Sequence, residues 1–343
     1  MHVVTIGLDL AKNVFQVHGI DGEGRVVVRR RLRRTEMLPF FGALSPCRIG
    51  MEACSTAHHW ARELMAFGHD VRLMPASYVK PYVKRGKNDA NDAEAICEAV
   101  TRPTMRFVPV KSIEQQSVIM LHRTRDLLVR QRTMLVNALR GHLAEVGIVA
   151  ALGLPKVQEL ISLVKDGADE RIEPLMRHCM EVIVDQLQDI QGRIGTLDRA
   201  IHAWHRQNET SRRLETIPGV GPITASVLAA TVTSPSAFSS GRHFAAWLGL
   251  VPRQNSTGGK DRHGKISKMG DQYIRRLLIV GAHAVLRWGR TTKGSAWIMR
   301  LLGRRPFRVV AVALANKMAR IVWCVLAKGS TYRNEHSAGA LPA

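Results

Sequence analysis

The chain has 343 residues, enough for about two or three domains with a substantial core, and 45% of them are hydrophobic. Its formal net charge is +22, and 19 of the 50 Lys and Arg residues but only three of the 28 acids lie in residues 241–343. A basic end of this density predicts a polyanionic partner, above all nucleic acid. An anionic membrane surface is the weaker alternative, because the cations alternate with glycine turns as well as helices.

Cysteine usage and hydropathy indicate the cellular compartment in which we expect the protein. The five cysteines are odd in number and have no CxxC spacing, which argues against a disulfide framework or a zinc site and for a reducing cytosol. The first residues enter a strand pattern directly, so we expect no signal peptide and a cytoplasmic, nucleoid-associated protein. The apolar run 309–327 has Lys317 and Arg320 at its centre, which predicts a core helix rather than a membrane span.

Hydrophobic alternation in residues 1–111 predicts a mixed-sheet domain. The first strand, residues 2–10, has apolar residues at every second position and places Asp9 on a face that is otherwise apolar or small. Further strands are predicted over residues 15–20, 25–32, 47–53 and 70–75, and helices over residues 37–44, 56–67 and 88–100. Three antiparallel strands followed by alternating helix and strand describe a ribonuclease H-like sheet, so the predicted fold class is α/β plus α.

Two acids three residues apart open the last of these helices, and they belong to the first candidate site. Asp89 and Asp92 share one helix face, so their carboxylates repel unless a divalent cation such as Mg²⁺ or Mn²⁺ binds between them. In the predicted sheet Asp9 and Glu52 lie at the same end, so four carboxylates would hold two cations about 4 Å apart for in-line phosphoryl transfer. The alternative is that the helix pair compensates the helix dipole while the two strand acids face solvent.

Residues 112–208 predict two long helices with apolar seams. A capping box at residues 112–115 opens the first helix, which runs to about residue 146 with leucines at positions 121, 128 and 135. The second helix spans residues 173–208 and has apolar residues at strict four-three spacing from position 176 to position 201. Such a seam is either a coiled coil between subunits or a helical hairpin packed on itself.

After residue 208 the long helical repeats end and glycine-containing turns follow. The turn at residues 218–221 precedes an apolar stretch and looks like a helix-hairpin-helix turn, in which Gly219 and Gly221 let backbone N–H groups approach a DNA phosphate. A plain helical turn that needs glycine for its backbone angles is the alternative. A disordered tail is predicted over residues 330–343. The expected domains are residues 1–111, 112–208 and 209–329.

A glycine-rich loop dense in cations, residues 249–270, holds the second candidate site. Ser256 and Thr257 precede two glycines, where the backbone can come close to a ligand. A hydroxyl in this field is either a nucleophile, whose pentavalent phosphate is stabilised electrostatically, or a hydrogen-bond donor in a phosphate-binding loop. The cations of the loop and of the next helix are candidate nucleic-acid contacts: Arg253, Lys260, Arg262, Lys265, Lys268, Arg275 and Arg276.

An ordered set of motifs resembles a known family. The first half resembles the DEDD, RuvC-like domain of insertion-sequence transposases of the one-ten/eleven-eleven type, to which the Piv pilin-gene invertase is also similar. The second half resembles the C-terminal transposase domain of the same family. The matching segments are residues 7–12, 51–53, 87–93, 217–222, 244–252, 256–259 and 264–270. Any one motif is weak, but the set keeps the order and spacing of the family.

The resemblance implies a DNA recombinase that excises and inserts its own element. In that family the DEDD carboxylates bind divalent metal, and a serine of the C-terminal domain attacks DNA to give a covalent phosphoserine linkage. Carried over to this chain, the metal ligands are Asp9, Glu52, Asp89 and Asp92. Ser256 corresponds to the nucleophile, and Thr257 beside it is the second candidate.

The resemblance also implies partners. The composite site of the family joins the DEDD domain of one subunit to the serine domain of another, which favours a homodimer or homotetramer through the coiled-coil seam. Family members are guided by a structured RNA from the non-coding end of the element, which fits a basic chain without an obvious base-reading motif. Two other functions stay open: a metal-dependent Holliday-junction-type endonuclease in which water attacks, and a non-catalytic nucleic-acid-binding protein.

Overall fold

The computed structural model describes residues 2–84, 89–260, 262–288 and 296–333. The chain forms two compact units, the first Met1–Ile113 with Val232–Ser239 and the second Glu114–Thr231 with Ser240–Ala343. The predicted helix start at residue 88, residue 87 of the family-like segment, and residues 334–343 of the predicted tail lie outside the described residues. The predicted separation of a long-helix domain from a C-terminal domain stays a prediction.

The first unit is built on a five-stranded mixed sheet. Its strands are β1 (Thr5–Leu10), β2 (Val14–Ile20), β3 (Val26–Arg33), β4 (Arg48–Glu52) and β5 (Asp70–Met74). Its helices are α1 (Met37–Gly42), α2 (Ala57–Ala66), α3 (Ala76–Val79) and α4 (Asp89–Val100). The strand order is β3-β2-β1-β4-β5; β2 pairs antiparallel with β1 and β3, and β4 pairs parallel with β1 and β5. The predicted mixed α/β sheet is confirmed, and this order is compatible with a ribonuclease H-like domain.

Alternation along the strands buries one face of the sheet in a hydrophobic core. Ile6 and Leu8 of β1 are fully buried and share a core cluster with Phe15 of β2. Helix α2 completes this core, since the ring of Trp60 packs edge-on against that of Phe15 with 5.2 Å between the ring centroids. The hydrophobic effect therefore fixes which face of β1 looks inward, and Asp9 falls on the other face.

Helix α4 covers that other face and comes close to the strands because two glycines leave room for it. Gly7 of β1 pairs with Gly50 of β4. A Cβ added at Gly7 would lie 2.1 Å from the carbonyl oxygen of Ala93, and one at Gly50 would lie 2.7 Å from the Cβ of Val100. The two glycines thus set the height of α4 above the sheet, and with it the position of the acids in its first turn.

Gly7→Ala is expected to destabilise the first unit by about 3 kcal/mol, because the new methyl group meets backbone atoms that cannot rotate away. The measurement is the free energy of unfolding from chemical denaturation. Gly22→Ala is the matched control, since a Cβ there meets nothing within 4 Å. Equal stability of the two variants would contradict the close packing of α4 on β1.

The second unit is mainly helical. Its helices are α5 (Ile113–Glu145), α6 (Leu154–Asp166), α7 (Pro174–Gln207), α8 (Glu209–Glu215), α9 (Pro222–Thr231), α10 (Gly241–Trp247), α11 (Gln272–Trp288), α12 (Ala296–Leu302) and α13 (Phe307–Lys328). Strands β6 (Pro252–Gln254) and β7 (His263–Ile266) form a two-stranded antiparallel sheet.

Much of the apolar stripe of α7 is buried within this chain. Met180 and Leu187 of α7 share a core cluster with Leu139 and Leu143 of α5. Helix α6, which the sequence analysis did not predict, adds four further residues to this core: Val157, Leu160, Ile161 and Val164. Over this stretch the structure therefore favours the helical hairpin, and a subunit contact through the same seam stays a proposal.

A different face of α5 carries exposed apolar side chains. They are Ile113, Met120, Leu127 and Met134, with relative exposures of 69%, 66%, 47% and 69%. A spacing of seven residues keeps them on one side of the helix. This set, called the exposed α5 stripe below, is separate from the predicted leucine seam at positions 121, 128 and 135.

The last helix is apolar, and one face of it belongs to the protein core. By length and composition α13 is the one described helix that could cross a membrane, with 44% of its most apolar window buried inside the structure. Its buried residues include Val310, Leu314 and Met318, which recur at helical spacing. Within the first residues of the predicted tail, the backbone N–H of Tyr332 donates to Thr216 Oγ1 at 2.9 Å.

Candidate active site

Four acids lie near one another at the carboxyl ends of β1 and β4. These strands run parallel with Leu8 opposite Met51, so Asp9 and Glu52 follow as neighbours on the face covered by α4. Asp89 and Asp92 occupy the first turn of α4. One carboxylate oxygen from each of the three aspartates lies within 4.8 Å of the others. This group, with Glu52 beside it, is called the carboxylate cluster below.

The pKa values of the strand acids report the crowding of negative charge. Burial is the largest cause, and together with the charges of Asp92, Asp89 and Glu52, in that order, it raises the pKa of Asp9 to about 6. Burial also raises the pKa of Glu52, with Asp92 as the second cause. Both shifts reflect a cost of ionising these acids, which a bound cation would reduce because it replaces repulsion by attraction.

The donor set of the carboxylate cluster fits a divalent metal of the hard class. Every side chain in it offers carboxylate oxygens, which are the ligands that Mg²⁺ and Mn²⁺ prefer. Three oxygens within 4.8 Å of one another are close enough to share an ion. The interpretation of Asp89 and Asp92 as charges that only compensate the helix dipole does not explain why Asp9 of a different element lies against them.

Two glycines that build this site were not among the predicted site residues. Gly7 and Gly50 each stand two residues before a strand acid and on the same face of the sheet, so they open the space in which α4 brings its own acids close. The available signal was the pair of segments Gly-Leu-Asp and Gly-Met-Glu, in which a residue without a side chain precedes an acid at strand periodicity.

The serine of the second candidate site lies in the exposed connection between β6 and β7. Ser256 and Thr257 are exposed, and Gly258 and Gly259 follow with φ of +55° and +76°. Lys260 N–H donates to the carbonyl oxygen of Thr257 at 3.1 Å, which closes a tight turn directly after the serine. The predicted cations of this loop are all exposed: Arg253, Lys260, Arg262, Lys265 and Lys268.

The structure differs from the prediction at Arg275, which is buried. Its exposed fraction is 8%, and its guanidinium donates to the carbonyl oxygens of Leu248 at 3.0 Å and Met269 at 3.1 Å. These two residues immediately precede the first and last glycines of the predicted loop. A guanidinium engaged in this way holds the two ends of the loop together, so Arg275 is better described as a positioning residue than as a nucleic-acid contact. Arg276 is half-exposed and pairs with Asp126.

Arg275→Lys is expected to loosen the loop, because the shorter lysine side chain ends before the position of the one guanidinium nitrogen that donates to both carbonyl groups. The measurement is the rate of trypsin cleavage within residues 249–270, which we expect to rise about tenfold as local opening becomes easier. Arg276→Lys on the same helix is the control and should leave the rate unchanged. A cleavage rate that stays constant in Arg275→Lys would contradict the positioning role.

The two glycines of the predicted helix-hairpin-helix turn differ in their surroundings. Gly219 has φ of +84°, and a Cβ there would lie 2.8 Å from the carbonyl oxygen of Gly281 in α11. Close packing against α11 therefore explains Gly219, as in the alternative of a plain turn. Gly221 has open space around its Cα, and a backbone contact with phosphate there stays a prediction.

An open groove in the second unit gathers cations around an apolar floor. It has a volume of about 2000 Å³, and α10, α13 and the β6–β7 sheet contribute to its walls. Among the described residues its lining includes no acid and six cations: Arg242, Lys265, Lys268, Arg308, Lys317 and Arg320. Two of these, Lys265 and Lys268, belong to the predicted nucleic-acid-binding set. A concave surface of this charge attracts a polyanion.

A mixed sheet with clustered carboxylates, followed by a strongly basic helical unit, fits the class of enzymes that act on nucleic-acid phosphodiesters. Comparison with known protein families identifies the family within this class. A DEDD transposase model of the IS110 type matches residues 6–148, and a model described as the transposase IS116/IS110/IS902 family matches residues 211–295. The two matches cover both candidate sites.

Individual relatives extend over nearly the whole chain. The chain is 51% identical over 336 residues to a "Probable family 20 transposase" of Pseudomonas aeruginosa, covering 97% of this chain and 99% of that protein. It is 41% identical over 330 residues to the "Transposase for insertion sequence element IS1111A" of Coxiella burnetii, covering 96% and 91%. It is also 23% identical over 279 residues to the "Pilin gene-inverting protein" of Moraxella bovis, covering 78% and 75%. The chain belongs to the IS110/IS1111 family of DEDD transposases.

Proposed function

We propose that this DNA transposase cuts and rejoins the strands of its insertion sequence with divalent metal at the carboxylate cluster and with Ser256 as the nucleophile. The observation that carries the first part is the approach of Asp9, Asp89 and Asp92 to within 4.8 Å, inside the segment matched by the DEDD transposase family. The exposed serine in a field of cations supports the second part.

The carboxylates would hold the metal. Asp9, Glu52, Asp89 and Asp92 supply the oxygen ligands, and the raised pKa of Asp9 fits a group whose charge is meant to be balanced by a cation. Bound divalent ions supply Lewis-acid stabilisation of the oxygens that attack and leave during in-line displacement. The close contact of α4 with β1 and β4 holds the helix that carries Asp89 and Asp92 against the strands that carry Asp9 and Glu52.

Ser256 would act through a reversible phosphoryl transfer. Its Oγ loses its proton and forms a bond to the phosphorus atom while the bond from phosphorus to one DNA oxygen breaks. That oxygen takes up a proton and leaves as a hydroxyl, so one proton is released and one is taken up. Exposed cations such as Arg253, Lys260 and Arg262 stabilise the charge of the pentavalent phosphate. Because the phosphoserine bond keeps the energy of the phosphodiester, a hydroxyl from another strand can reverse the step and join it without a nucleotide cofactor.

We further propose an oligomer in which the carboxylate cluster of one subunit works with Ser256 of another. The exposed α5 stripe supports a helix-to-helix contact, since apolar side chains repeated every seven residues suit a coiled-coil partner. A structured guide RNA is proposed as the source of sequence choice, because the cations on this chain suit backbone binding and pairing would read the bases. Sequencing of RNA that copurifies with the protein tests this part.

The test of the proposed function is a joining reaction. Purified protein with Mg²⁺, DNA carrying the ends of the element and RNA from its non-coding end should give joined strands, detected by sequencing across the new junctions. The alternative, a structure-specific endonuclease in which water attacks and Ser256 only binds phosphate, gives cut strands without junctions. Cut products alone would therefore contradict the proposal.

A further inference from the structure

The edge strand β3 carries a run of arginines that the candidate site does not use. Strand alternation divides them between the two faces of the sheet. Arg30 lies over the ring of Phe40 in α1, 5.5 Å from its centroid, and so occupies the face of the hydrophobic core. Arg29, Arg31 and Arg33 therefore extend from the opposite face, on which α4 lies. These three residues are called the arginine row below.

The pairing of the strands aligns the arginine row with the carboxylate cluster. Asp9 of β1 is opposite Gln16 of β2, and Gln16 is opposite Arg31 of β3. The three residues thus form one cross-strand line on one face of the sheet. Because adjacent strands are about 4.8 Å apart, the Cα of Arg31 lies about 10 Å from that of Asp9. The arginine row is therefore near the carboxylate cluster, but its side chains are not among the metal ligands.

The charge of the row is available to a ligand. Arg29, Arg31 and Arg33 are all exposed, and within the part of the chain that the structure describes the side chains of Arg31 and Arg33 form no ion pair. A cavity of about 280 Å³ lies between β3 and α4, and its lining includes Arg29, Arg30, Arg31, Asn91 and Glu94. Of the three arginines, Arg30 has its guanidinium over Phe40 on the core face. Glu94, the acid in that lining, pairs with Lys84 at 2.5 Å, and its charge also interacts with that of Arg29, so Arg31 is the member of the row whose charge is most available.

The position of the arginine row offsets the electrostatic repulsion between the carboxylate cluster and DNA. Four carboxylates repel the phosphates of any DNA strand that approaches them, and bound metal compensates only at the phosphate that it contacts. Cations placed directly beside the acids would pair with them and compete with the metal. Cations two strands away leave the ligands free and still attract the neighbouring phosphates.

We propose that the arginine row binds the phosphate backbone of DNA where the strand passes the carboxylate cluster. The inference rests on the proposed function, in which this cluster cuts DNA. One strand of B-form DNA has a phosphate about every 3.4 Å along the axis, so a contact about 10 Å from the cluster falls within a few phosphates of the cut. The contact positions the strand and reads no bases.

The first experiment measures affinity. Binding of a fluorescent DNA duplex that carries an element end is followed by anisotropy over a series of salt concentrations, without divalent metal and in a Ser256→Ala background so that no strand is cut. Arg31→Gln is expected to weaken binding about five- to tenfold and to make the log–log salt slope shallower by about 0.9. The double variant Arg29→Gln with Arg31→Gln should change the slope by about twice as much.

Arg30→Gln is the matched control, because it removes the same charge from the adjacent residue on the opposite face. It should leave both affinity and slope unchanged. An equal loss in Arg30→Gln and Arg31→Gln would overturn the proposal, since net charge rather than the row would then explain binding. Unchanged DNA affinity in Arg31→Gln would overturn it as well, including the case in which only RNA of the same sequence, or vesicles with anionic lipid, bind less well.

A second measurement locates the contact and separates this inference from the proposed function. In ethylation interference, modification of phosphates close to the cut should weaken binding of the parent protein, and Arg31→Gln should lose that sensitivity at one position. An arginine-dependent signal at phosphates far from the mapped cut would overturn the inference while leaving the cutting activity as proposed. If the junction assay fails but Arg31→Gln still weakens DNA binding, the proposed function fails and the binding surface remains.

Discussion

Asp9→Asn is expected to abolish strand cutting and, at the same time, to make the metal-free protein more stable. The activity loss follows from removing one charged metal ligand, which should slow cutting by about 1000-fold or more. The stability gain follows from the position of Asp9, whose pKa burial and three neighbouring acids raise to about 6. Asparagine keeps the shape of the side chain and removes the charge that these surroundings disfavour.

The sign of the stability effect follows from proton linkage. Between about pH 4 and pH 6 folded Asp9 keeps a proton that the unfolded chain has released, since its pKa is 3.8 when unperturbed and about 6 in the structure. The stabilisation from this site is therefore present below pH 4 and is lost as the pH rises through 6. After discounting for partial exposure, we expect Asp9→Asn to raise the free energy of unfolding by about 1–2 kcal/mol at pH 8.

With Mg²⁺ bound, the parent protein should become more stable than Asp9→Asn. A ligand that binds the folded state at 100 times its Kd stabilises it by about 2.7 kcal/mol, so Mg²⁺ should raise the Tm of the parent protein and have little effect on Asp9→Asn. The measurement is thermal unfolding with and without Mg²⁺ at pH 8. Glu63→Gln is the control, because this half-exposed acid of α2 lies outside the carboxylate cluster. A Tm that responds equally to Mg²⁺ in parent and Asp9→Asn would contradict metal binding at this cluster.

Periodicity was sufficient to predict the sheet domain, because its elements are long enough to repeat a pattern. Each strand from β1 to β5 was predicted to within a few residues, and so were the two long helices α5 and α7. The acids of α4 could be paired from their spacing alone. That these acids lie close to Asp9 was predictable only from the strand order of a ribonuclease H-like sheet, because that order brings distant segments of the chain together.

The remaining features depend on contacts that no local pattern encodes. Gly7 and Gly50 matter because they are opposite each other under one helix, and this register joins strands 43 positions apart in the chain. Arg275 has the same charge and neighbourhood in sequence as Arg276, yet one is buried against two carbonyl groups and the other is half-exposed. Helix α6 was missed because its apolar residues become a core only against α5 and α7.

The second large effect is expected at the serine. Ser256→Ala should abolish any covalent protein–DNA adduct trapped under denaturing conditions, because no Oγ remains to form the bond to phosphorus. Thr257→Ala removes the adjacent hydroxyl from the same exposed turn and should leave the adduct in place. The measurement is the fraction of labelled DNA that migrates with denatured protein. Loss of the adduct in Thr257→Ala alone would move the nucleophile to Thr257, and cutting without an adduct in every variant would favour attack by water.

Mixed oligomers extend this test to the arrangement of the site. Asp9→Asn lacks a metal ligand and Ser256→Ala lacks the nucleophile, so neither variant alone should form the adduct. If the carboxylate cluster of one subunit works with the serine of another, a mixture refolded or coexpressed together contains pairs in which an intact cluster meets an intact serine, and the adduct returns. If both groups act within one chain, every chain in the mixture lacks one of them and no adduct forms. The adduct suits this experiment because a single intact site is enough to produce it, whereas complete strand exchange needs several sites in one assembly.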